Sequence, residues 1–212
     1  MESLAARLST ILLPQASEDS EAERFMRLDR IYTRGGDAGL TSLGDGSRIP
    51  KFHTRIAAIG GLDEANAAIG LALLYIEDAA IRDLLGTIQN DLFDVGADLC
   101  RPEDGHEKKP PLRVTAGQVT GLERAIDRCN EALQPLTSFV LPGGSAASAH
   151  LHLARGVTRR AERDIAELAS AESINPEALK YVNRLSDLLF VLARYLNGRG
   201  TADVLWKPGV NR

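Results

Sequence analysis

From residue 54 onward, hydrophobic residues recur at intervals of three and four, which is the period of an amphipathic helix. The clearest stripe runs through Ile81, Leu84, Leu85, Ile88, Leu92, Val95 and Leu99. Similar stripes occupy about residues 55–76, 119–133, 154–168 and 179–196. No segment shows sustained strand alternation, and no internal repeat is visible. The pattern therefore predicts an all-α fold, a bundle of five helices.

Local signals mark where several of these helices begin and end. Thr115 followed by Gln118 is a capping-box pair, and Asn175 followed by Pro176 is an N-cap with proline at the first helical position. Ser145 opens the fourth helix after the break "LPGG", and Gly198 is placed to end the fifth. The segment "RPEDGHEKKPPLR" is charged and contains prolines, so we expect an exposed loop there.

Composition narrows the possible function classes. The chain has 212 residues, 44% hydrophobic and 25% charged, which is typical of one globular domain. A net charge of −4 argues against a nucleic-acid-binding surface, and the apolar runs are too short for a membrane span. The cysteines, Cys100 and Cys129, are far apart and form no zinc motif, which suits a reducing compartment. We therefore expect a cytoplasmic protein without nucleic-acid or membrane partners.

The first 27 residues are predicted to be an N-terminal extension. They contain a short apolar patch, "LSTILL", and residues 1–26 contain five acidic residues and two arginines. This composition is unlike that of a secretory signal or an organelle transit peptide. The bundle domain is then residues 28–212. Met26 is an alternative start by hypothesis, which mass spectrometry of the native N-terminus would test.

The fourth helix carries a second, polar stripe. Ser148, His152, Arg155, Arg159 and Glu162 share one face, with Arg160 and Arg163 beside it. In one interpretation these arginines are solvated and pair with acids on neighbouring helices. In the other they bind phosphate, because the guanidinium group matches phosphate oxygens in a bidentate geometry.

Other polar groups lie on the first and fifth helices and in one loop. The fifth helix has a polar face with Lys180, Asn183, Asp187 and Arg194, and "GLDEAN" places Asp63, Glu64 and Asn66 among apolar residues of the first. The stretch "TRGGDAGLT" is either a tight surface turn or a phosphate-binding loop. It lacks the GK[ST] of a Walker A loop and the GxGxxG of a dinucleotide-binding unit.

Several familiar chemistries do not match. The helices carry no Glu-x-x-His pairs of a di-iron bundle, no GxSxG is present, and neither cysteine has a base partner in sequence. His150 and His152 are two residues apart, so they do not share a helix face. The residues suit a protein that positions an anionic cosubstrate while another molecule supplies the nucleophile.

The motifs together resemble one family, the ATP:cob(I)alamin adenosyltransferases of the propanediol-utilisation type. The resemblance covers about residues 30 to 207. It rests on "YTRGGDAGLTSL", "RIPKFHTRIAAIGGLDEAN", "FVLPGG", "ARGVTRRAER", "YVNRLSDLLFVLARYLN" and "DVLWKP". Ala65 departs from the family pattern, in which leucine is frequent there, and the N-terminal extension has no assigned counterpart.

This resemblance implies an up-and-down five-helix bundle that forms a homotrimer with active sites between subunits. Asp63 would pair with Arg155 across the interface, and Phe139 would lie on the corrin side and displace the lower axial ligand. Catalytic roles are thereby implied for Asp63, Arg155, Arg160 and Phe139. The implied ATP-binding residues are Thr33, Arg34, Gly35, Gly36, Asp37, Ala38, Gly39, Leu40, Thr41, Ser42, Lys51, Arg159, Arg160, Ala161, Glu162, Arg163 and Asn183.

The implied activity is transfer of the 5′-deoxyadenosyl group from ATP to reduced cobalamin, with release of triphosphate. ATP and cobalamin are the substrates, and Mg²⁺ would come with ATP rather than sit in a permanent protein cage. A cobalamin reductase and an adenosylcobalamin-dependent enzyme are further implied partners. Two alternatives stay open: an adenosylcobalamin escort or ATP/cobalamin sensor with little turnover, and an unrelated ATP-dependent transferase on the same bundle.

Overall fold

The computed structural model describes residues 31–103 and 111–210, and its main feature is a bundle of five helices. The predicted extension, residues 1–27, and residues 104–110 of the charged loop lie outside the described part. The helices are α1 (Thr54–Leu73), α2 (Ala79–Leu99), α3 (Ala116–Asn130), α4 (Ala146–Ala171) and α5 (Pro176–Tyr195). The predicted all-α class is confirmed.

The predicted helix starts are confirmed by the hydrogen bonds that cap them. Thr115 and Gln118 form a complete capping box at α3. The Ser145 side chain accepts a hydrogen bond from the Ser148 N–H at the start of α4, and Asn175 caps α5 with Pro176 in its first turn. These side chains satisfy backbone N–H groups that have no partner within their helix.

The helices run up and down, as contacts between their ends show. Arg55, at the start of α1, donates to the Leu99 carbonyl at the end of α2 and pairs with Glu172 after the end of α4. At the opposite end of the bundle, the Ser145 hydroxyl donates to the Leu196 carbonyl after α5. We call the end that contains Arg55 the hairpin end, because a short β-hairpin contacts it. We call the end that contains Ser145 the tail end, because the C-terminal segment after α5 contacts it.

The apolar stripes form one continuous core, and α1 and α4 approach each other closely within it. All seven residues of the α2 stripe are buried, as are Val119, Leu122 and Cys129 on α3. A Cβ added to Gly61 on α1 would lie 3.0 Å from the Ala161 Cβ on α4. Glycine therefore permits this crossing, which aligns the polar residues of the two helices.

One helix has the length and composition of a membrane span. Among the described residues, α1 has 20 residues with a mean hydropathy of 1.3. The value reflects its many Ala, Ile and Leu residues rather than one long apolar run. It packs against α2 and α4 with Leu62 and Ile69 fully buried, as expected for a core helix.

A short hairpin before α1 was not predicted. Strands β1 (Leu40–Ser42) and β2 (Arg48–Pro50) pair antiparallel, with Thr41 opposite Ile49. Three residues per strand are too few for a period of two to be recognised in the sequence. Gly46, with φ of +88°, closes the turn, and the Gly44 N–H donates to the Cys100 carbonyl at the end of α2. The β-hairpin therefore contacts the bundle at the end of α2, which is the end that contains Arg55.

The fold makes a pH-dependent prediction through Cys129. This thiol is buried in the core, and burial raises its pKa to about 11 from 9.0. The folded state favours the protonated thiol. Its contribution to the free energy of unfolding is therefore complete below pH 9 and is lost as pH rises toward 11. We expect the free energy of unfolding to fall by up to about 2 kcal/mol more than in Cys129→Ala between pH 8.5 and 10.5.

Urea unfolding of both proteins at the two pH values measures this difference. The Cys129→Ala variant has a lower starting stability because it leaves a cavity, so only the change with pH is compared. An equal fall in both proteins would show that the Cys129 thiol does not titrate as expected.

Candidate functional site

The glycine-rich stretch folds into a compact loop that leads into β1. The Asp37 N–H donates to the Arg34 carbonyl at 3.3 Å, and the Gly39 N–H donates to the Gly36 carbonyl at 3.1 Å. Gly39 has φ of +79° and Arg34 has φ of +60°. The first requires glycine, and the second is a strained conformation for a side chain of that size. The predicted triphosphate loop is thus a series of tight turns, followed by the strand residues Leu40, Thr41 and Ser42.

Lys51 lies directly against this loop. Its Nζ is 2.9 Å from the point that a Cβ at Gly36 would occupy, and its backbone N–H donates to the Gly39 carbonyl at 2.9 Å. Any side chain at Gly36 would displace the lysine. The loop and Lys51, which the sequence associated only by proximity, therefore form one positively charged unit.

Arg48 on β2 is a residue of this loop that sequence reasoning missed. Its guanidinium donates to the Gly35 carbonyl at 2.5 Å and to the Ser42 hydroxyl at 3.0 Å. Because Arg48 binds a carbonyl of the loop, it fixes the loop against the hairpin. Its partners are largely backbone atoms brought close by the hairpin, so residue types alone could not identify them.

The arginines of α4 lie on its outer side, as expected for solvated arginines that pair with acids on neighbouring helices. Arg159, Arg160 and Arg163 are exposed, and Arg160 forms an ion pair with Glu64 on α1. Arg163 donates to the Arg159 carbonyl at 2.9 Å. Glu64 lies in "LDEAN" next to Asp63, whose implied partner is Arg155 of another subunit.

Ala161 differs from the arginines around it. Its side chain is fully buried against Gly61 of α1. The methyl group therefore belongs to the packing between helices, and the implied part of Ala161 in ATP binding stays a prediction. Within "RRAER", Ala161 faces the core while Arg159, Arg160 and Arg163 are exposed, as the 3.6-residue period of a helix allows.

Glu162 and Asn183, on different helices, are brought together. The Asn183 Nδ2 donates to Glu162 Oε1 at 2.7 Å, and its Oδ1 accepts from Arg184 at 2.7 Å. Arg184 in turn donates to Glu123 on α3 at 2.9 Å. This chain of hydrogen bonds fixes the orientation of the Asn183 amide. Glu123 and Arg184 were not predicted as site residues.

A groove of about 540 Å³ runs along the outer side of α4. Its wall includes Arg160 and Arg163 at one end and Pro142 and Gly143 at the other, with His152 between them. His152 is largely buried, and burial, with the charge of Arg155, lowers its pKa. Its imidazole is therefore neutral at pH 7. The groove has a cationic end and a largely uncharged end.

Arg155 on α4 faces α5, with its guanidinium 5.3 Å from the centre of the Phe190 ring. Burial and the charge of Arg159 lower its pKa. Within the described part of the chain, Arg155 forms no ion pair with Asp63, which is exposed on α1. Their predicted pairing is between subunits, so it remains a prediction.

Phe139 precedes the N-terminus of α4 with its side chain 77% exposed. Its ring lies 6.0 Å from that of Trp206, and Val140 bridges to Leu205 in the C-terminal segment. An exposed aromatic ring held by backbone pairing is available to an apolar ligand or to a partner chain. The part played by the "DVLWKP" tail in holding Phe139 was not predicted.

Arg194 also differs from its predicted position. The helical projection grouped it with Lys180 on one polar face, but its side chain is buried and paired with Asp203. The chain that follows α5 folds back and covers it. A projection of one helix cannot show that a side chain is buried by residues that lie outside that helix.

A glycine-rich loop, a groove with a cationic end and an exposed aromatic ring on a five-helix bundle are features suited to a protein that binds an anionic ligand and an apolar one. The family model for cobalamin adenosyltransferase matches residues 31–196, and this chain belongs to that family. The predicted family is thereby confirmed.

Similar proteins agree with this assignment. A corrinoid adenosyltransferase of Mycobacterium tuberculosis is 52% identical over 190 residues, covering 88% of this chain and 97% of its own length. A cobalamin adenosyltransferase of Cupriavidus metallidurans is 49% identical over 183 residues, covering 85% and 96%.

Among solved structures, a variant PduO-type ATP:corrinoid adenosyltransferase from Lactobacillus reuteri, complexed with cobalamin and ATP, is 37% identical. It matches 84% of this chain and 99% of its own with a TM-score of 0.76. A second variant of that enzyme, complexed with ATP, has a TM-score of 0.75 at 37% identity and covers 84% of this chain and all of its own.

Proposed function

We propose that this protein transfers the 5′-deoxyadenosyl group of ATP to the cobalt of cob(I)alamin, forming adenosylcobalamin and releasing triphosphate. The observation that carries the proposal is the groove on α4. One end is lined by Arg160 and Arg163, and the other by Pro142 and Gly143, which directly follow the "FVL" segment containing Phe139. A nucleotide at the cationic end and a corrinoid at the uncharged end would therefore be neighbours.

The glycine loop is proposed to bind the triphosphate. It has a lysine ammonium group against Gly36 and an arginine, Arg48, that binds the carbonyl of Gly35. Backbone N–H groups and a nearby cation are the usual means by which proteins bind phosphate groups. Arg159, Arg160 and Glu162 on α4 and Asn183 on α5 would hold the rest of the nucleotide.

The reaction requires little acid–base chemistry from the protein. Cobalt(I) supplies the electron pair that forms the Co–C5′ bond, while the C5′–O bond breaks and its electron pair leaves with triphosphate. The side chains of this site are mainly arginines, a lysine and amides, which position the reactants and stabilise charge on the leaving group. Cobalamin supplies the nucleophilic metal itself.

Magnesium is proposed to arrive with the nucleotide. Among the described residues, no group of three or more His, Cys, Asp or Glu side chains has an arrangement that could hold a metal ion. A nucleotide-bound Mg²⁺, which prefers oxygen ligands, would take them mainly from the triphosphate and would neutralise part of its charge.

The site is proposed to lie between subunits of a homotrimer. The glycine loop is attached at the hairpin end, whereas Phe139 precedes α4 at the tail end. Because α4 has 26 residues, it is about 39 Å long. This span is longer than a nucleoside triphosphate, so a loop from one chain and a Phe139 from another are the better pair. A contact between Asp63 and Arg155 of neighbouring chains would support the same arrangement.

Phe139 is proposed to contact the corrin and to exclude its lower axial ligand. The cytoplasm is the proposed location, with a cobalamin reductase and an adenosylcobalamin-dependent enzyme as proposed protein partners. The two protein partners are proposed from the chemistry, because cob(I)alamin must be supplied by reduction and adenosylcobalamin is consumed by other enzymes.

An anaerobic assay tests the proposed reaction. The protein is mixed with ATP, Mg²⁺ and chemically reduced cobalamin, and the cob(I)alamin absorption band is followed together with triphosphate release. We expect the band to disappear, with one triphosphate released for each adenosylcobalamin formed. Binding of both ligands without turnover would instead indicate an escort or sensor, and ATP binding without any corrinoid preference would indicate another transferase.

A further inference from the structure

Three buried polar residues at the tail end are linked by their side chains. Asp203, whose side chain is 3% exposed, accepts from Arg194 Nε at 2.8 Å and from Asn197 Nδ2 at 2.9 Å. Arg194 and Asn197 are themselves buried. We call Arg194, Asn197 and Asp203 the clamp.

The clamp binds both ends of the segment that contains Phe139. Arg194 Nη2 donates to the Gln134 carbonyl at 3.0 Å, ahead of Phe139. Asn197 Oδ1 accepts from the N–H of Ser145, the N-cap residue of α4, at 3.0 Å. Gly144 contributes to this fit, since a Cβ there would lie 2.4 Å from Asn197 Oδ1. A substitution at Gly144 would therefore displace Asn197.

The same clamp sets the position of the C-terminal segment that pairs with Phe139. Val204 follows Asp203 directly, and its carbonyl accepts from the Leu141 N–H at 2.8 Å. The Trp206 N–H donates to the Phe139 carbonyl at 2.7 Å, and the Ser138 hydroxyl donates to the Trp206 carbonyl at 2.8 Å. Asp203 thus connects α5 to the pairing that supports the exposed ring.

We propose that the clamp positions Phe139 for the corrinoid, so that Asp203, Arg194 and Asn197 determine corrinoid affinity without touching the ligand. The inference rests on the proposed function, because it assumes that Phe139 contacts the corrinoid. Buried charges demand a defined geometry, since an unpaired guanidinium in this site would be strongly unfavourable. An exposed segment held at one end by Arg194 and at the other by Asn197 keeps one conformation before the ligand arrives.

The test uses the full-length protein and the variant Asp203→Asn, which keeps the side-chain size and removes the charge. Trp206 is the single tryptophan of the chain, so its fluorescence reports the C-terminal segment directly. We expect its emission to shift to longer wavelength and its quenching by acrylamide to increase. The Kd for cob(II)alamin should rise about tenfold, because misplacement of a positioned group weakens the contacts it makes.

The Kd for ATP should stay within about twofold of wild type, because distant, independent sites act additively. Asp98→Asn is the matched control: Asp98 is a buried carboxylate paired with Arg113 at 2.6 Å at the hairpin end. It should lower the melting temperature but leave the cob(II)alamin Kd and the Trp206 emission unchanged. Ser138→Ala, which removes only the bond to Trp206, should weaken cob(II)alamin binding by about two- to threefold.

Each outcome decides between the possibilities. Unchanged cob(II)alamin binding and unchanged Trp206 emission in Asp203→Asn would overturn the inference. So would a parallel loss of ATP and cob(II)alamin binding in Asp203→Asn, with Ser138→Ala behaving as wild type, because the clamp would then only stabilise the fold. Failure of the wild-type protein to bind cob(II)alamin would instead contradict the proposed function.

Discussion

Replacing Arg160 by alanine is expected to abolish measurable nucleotide binding while leaving the melting temperature within a few degrees of wild type. Arg160 lies on the outer side of α4 and its guanidinium borders the groove. Charge-assisted hydrogen bonds contribute roughly 1.5–3 kcal/mol each, so loss of two such bonds would weaken binding by about a hundredfold or more. Isothermal titration with ATP and a thermal melt measure the two effects.

The small expected effect on stability follows from the exposure of the Arg160–Glu64 pair. The two side chains are 46% and 57% exposed. Exposed ion pairs contribute about 0–1 kcal/mol, which in a protein of this size corresponds to a few degrees in melting temperature. The binding effect and the stability effect of Arg160→Ala should therefore separate clearly.

Glu64→Gln is the matched control, because it removes the same ion pair but keeps the arginine. We expect this variant to bind ATP at least as well as wild type, since Glu64 no longer competes with phosphate for Arg160. Loss of ATP binding in both variants would show that the ion pair itself, rather than the guanidinium alone, is needed. A collapse of the fold in Arg160→Ala would show that Arg160 is structural.

The parts of the fold that could be predicted are those set by neighbouring residues in sequence. The α2 stripe and the Thr115–Gln118 capping box depend on spacings of three and four, and both are confirmed. The hairpin could not be predicted in this way, because its register depends on Thr41 meeting Ile49 across a turn. Short strands leave too few residues for a period to be seen.

For the candidate site, the sequence identified charged residues but not the groups that orient them. Arg48 was missed because it binds the backbone carbonyl of Gly35, and any residue could supply that carbonyl. Arg194 was grouped on a polar face with Lys180, and its buried partner Asp203 was missed because Asp203 lies beyond that helix. In both cases the decisive partner is brought close only by the fold.

Mixing two inactive variants is expected to restore activity, provided that one is altered in the loop and the other on α4. Lys51→Ala removes the ammonium group against Gly36, and Arg160→Ala removes the guanidinium of the groove. If each site combines the loop of one chain with the α4 of another, a randomly mixed oligomer contains some sites built from the two intact parts. In a purified trimer that contains both variants, one of the three sites combines the intact loop with the intact α4, so we expect about a third of the wild-type activity.

Co-expression of the two variants with different affinity tags, followed by purification of mixed oligomers, provides the material for this measurement. Arg160→Ala mixed with Asn183→Ala is the control, since both alter the same side of the proposed site and no combination of chains restores an intact one. Recovery in the first mixture and none in the second would establish a site shared between chains. Mixed oligomers that stay inactive in both cases would place the loop, Lys51 and the arginines of α4 within one chain, and the length of α4 would then require another account of how Phe139 reaches the corrinoid.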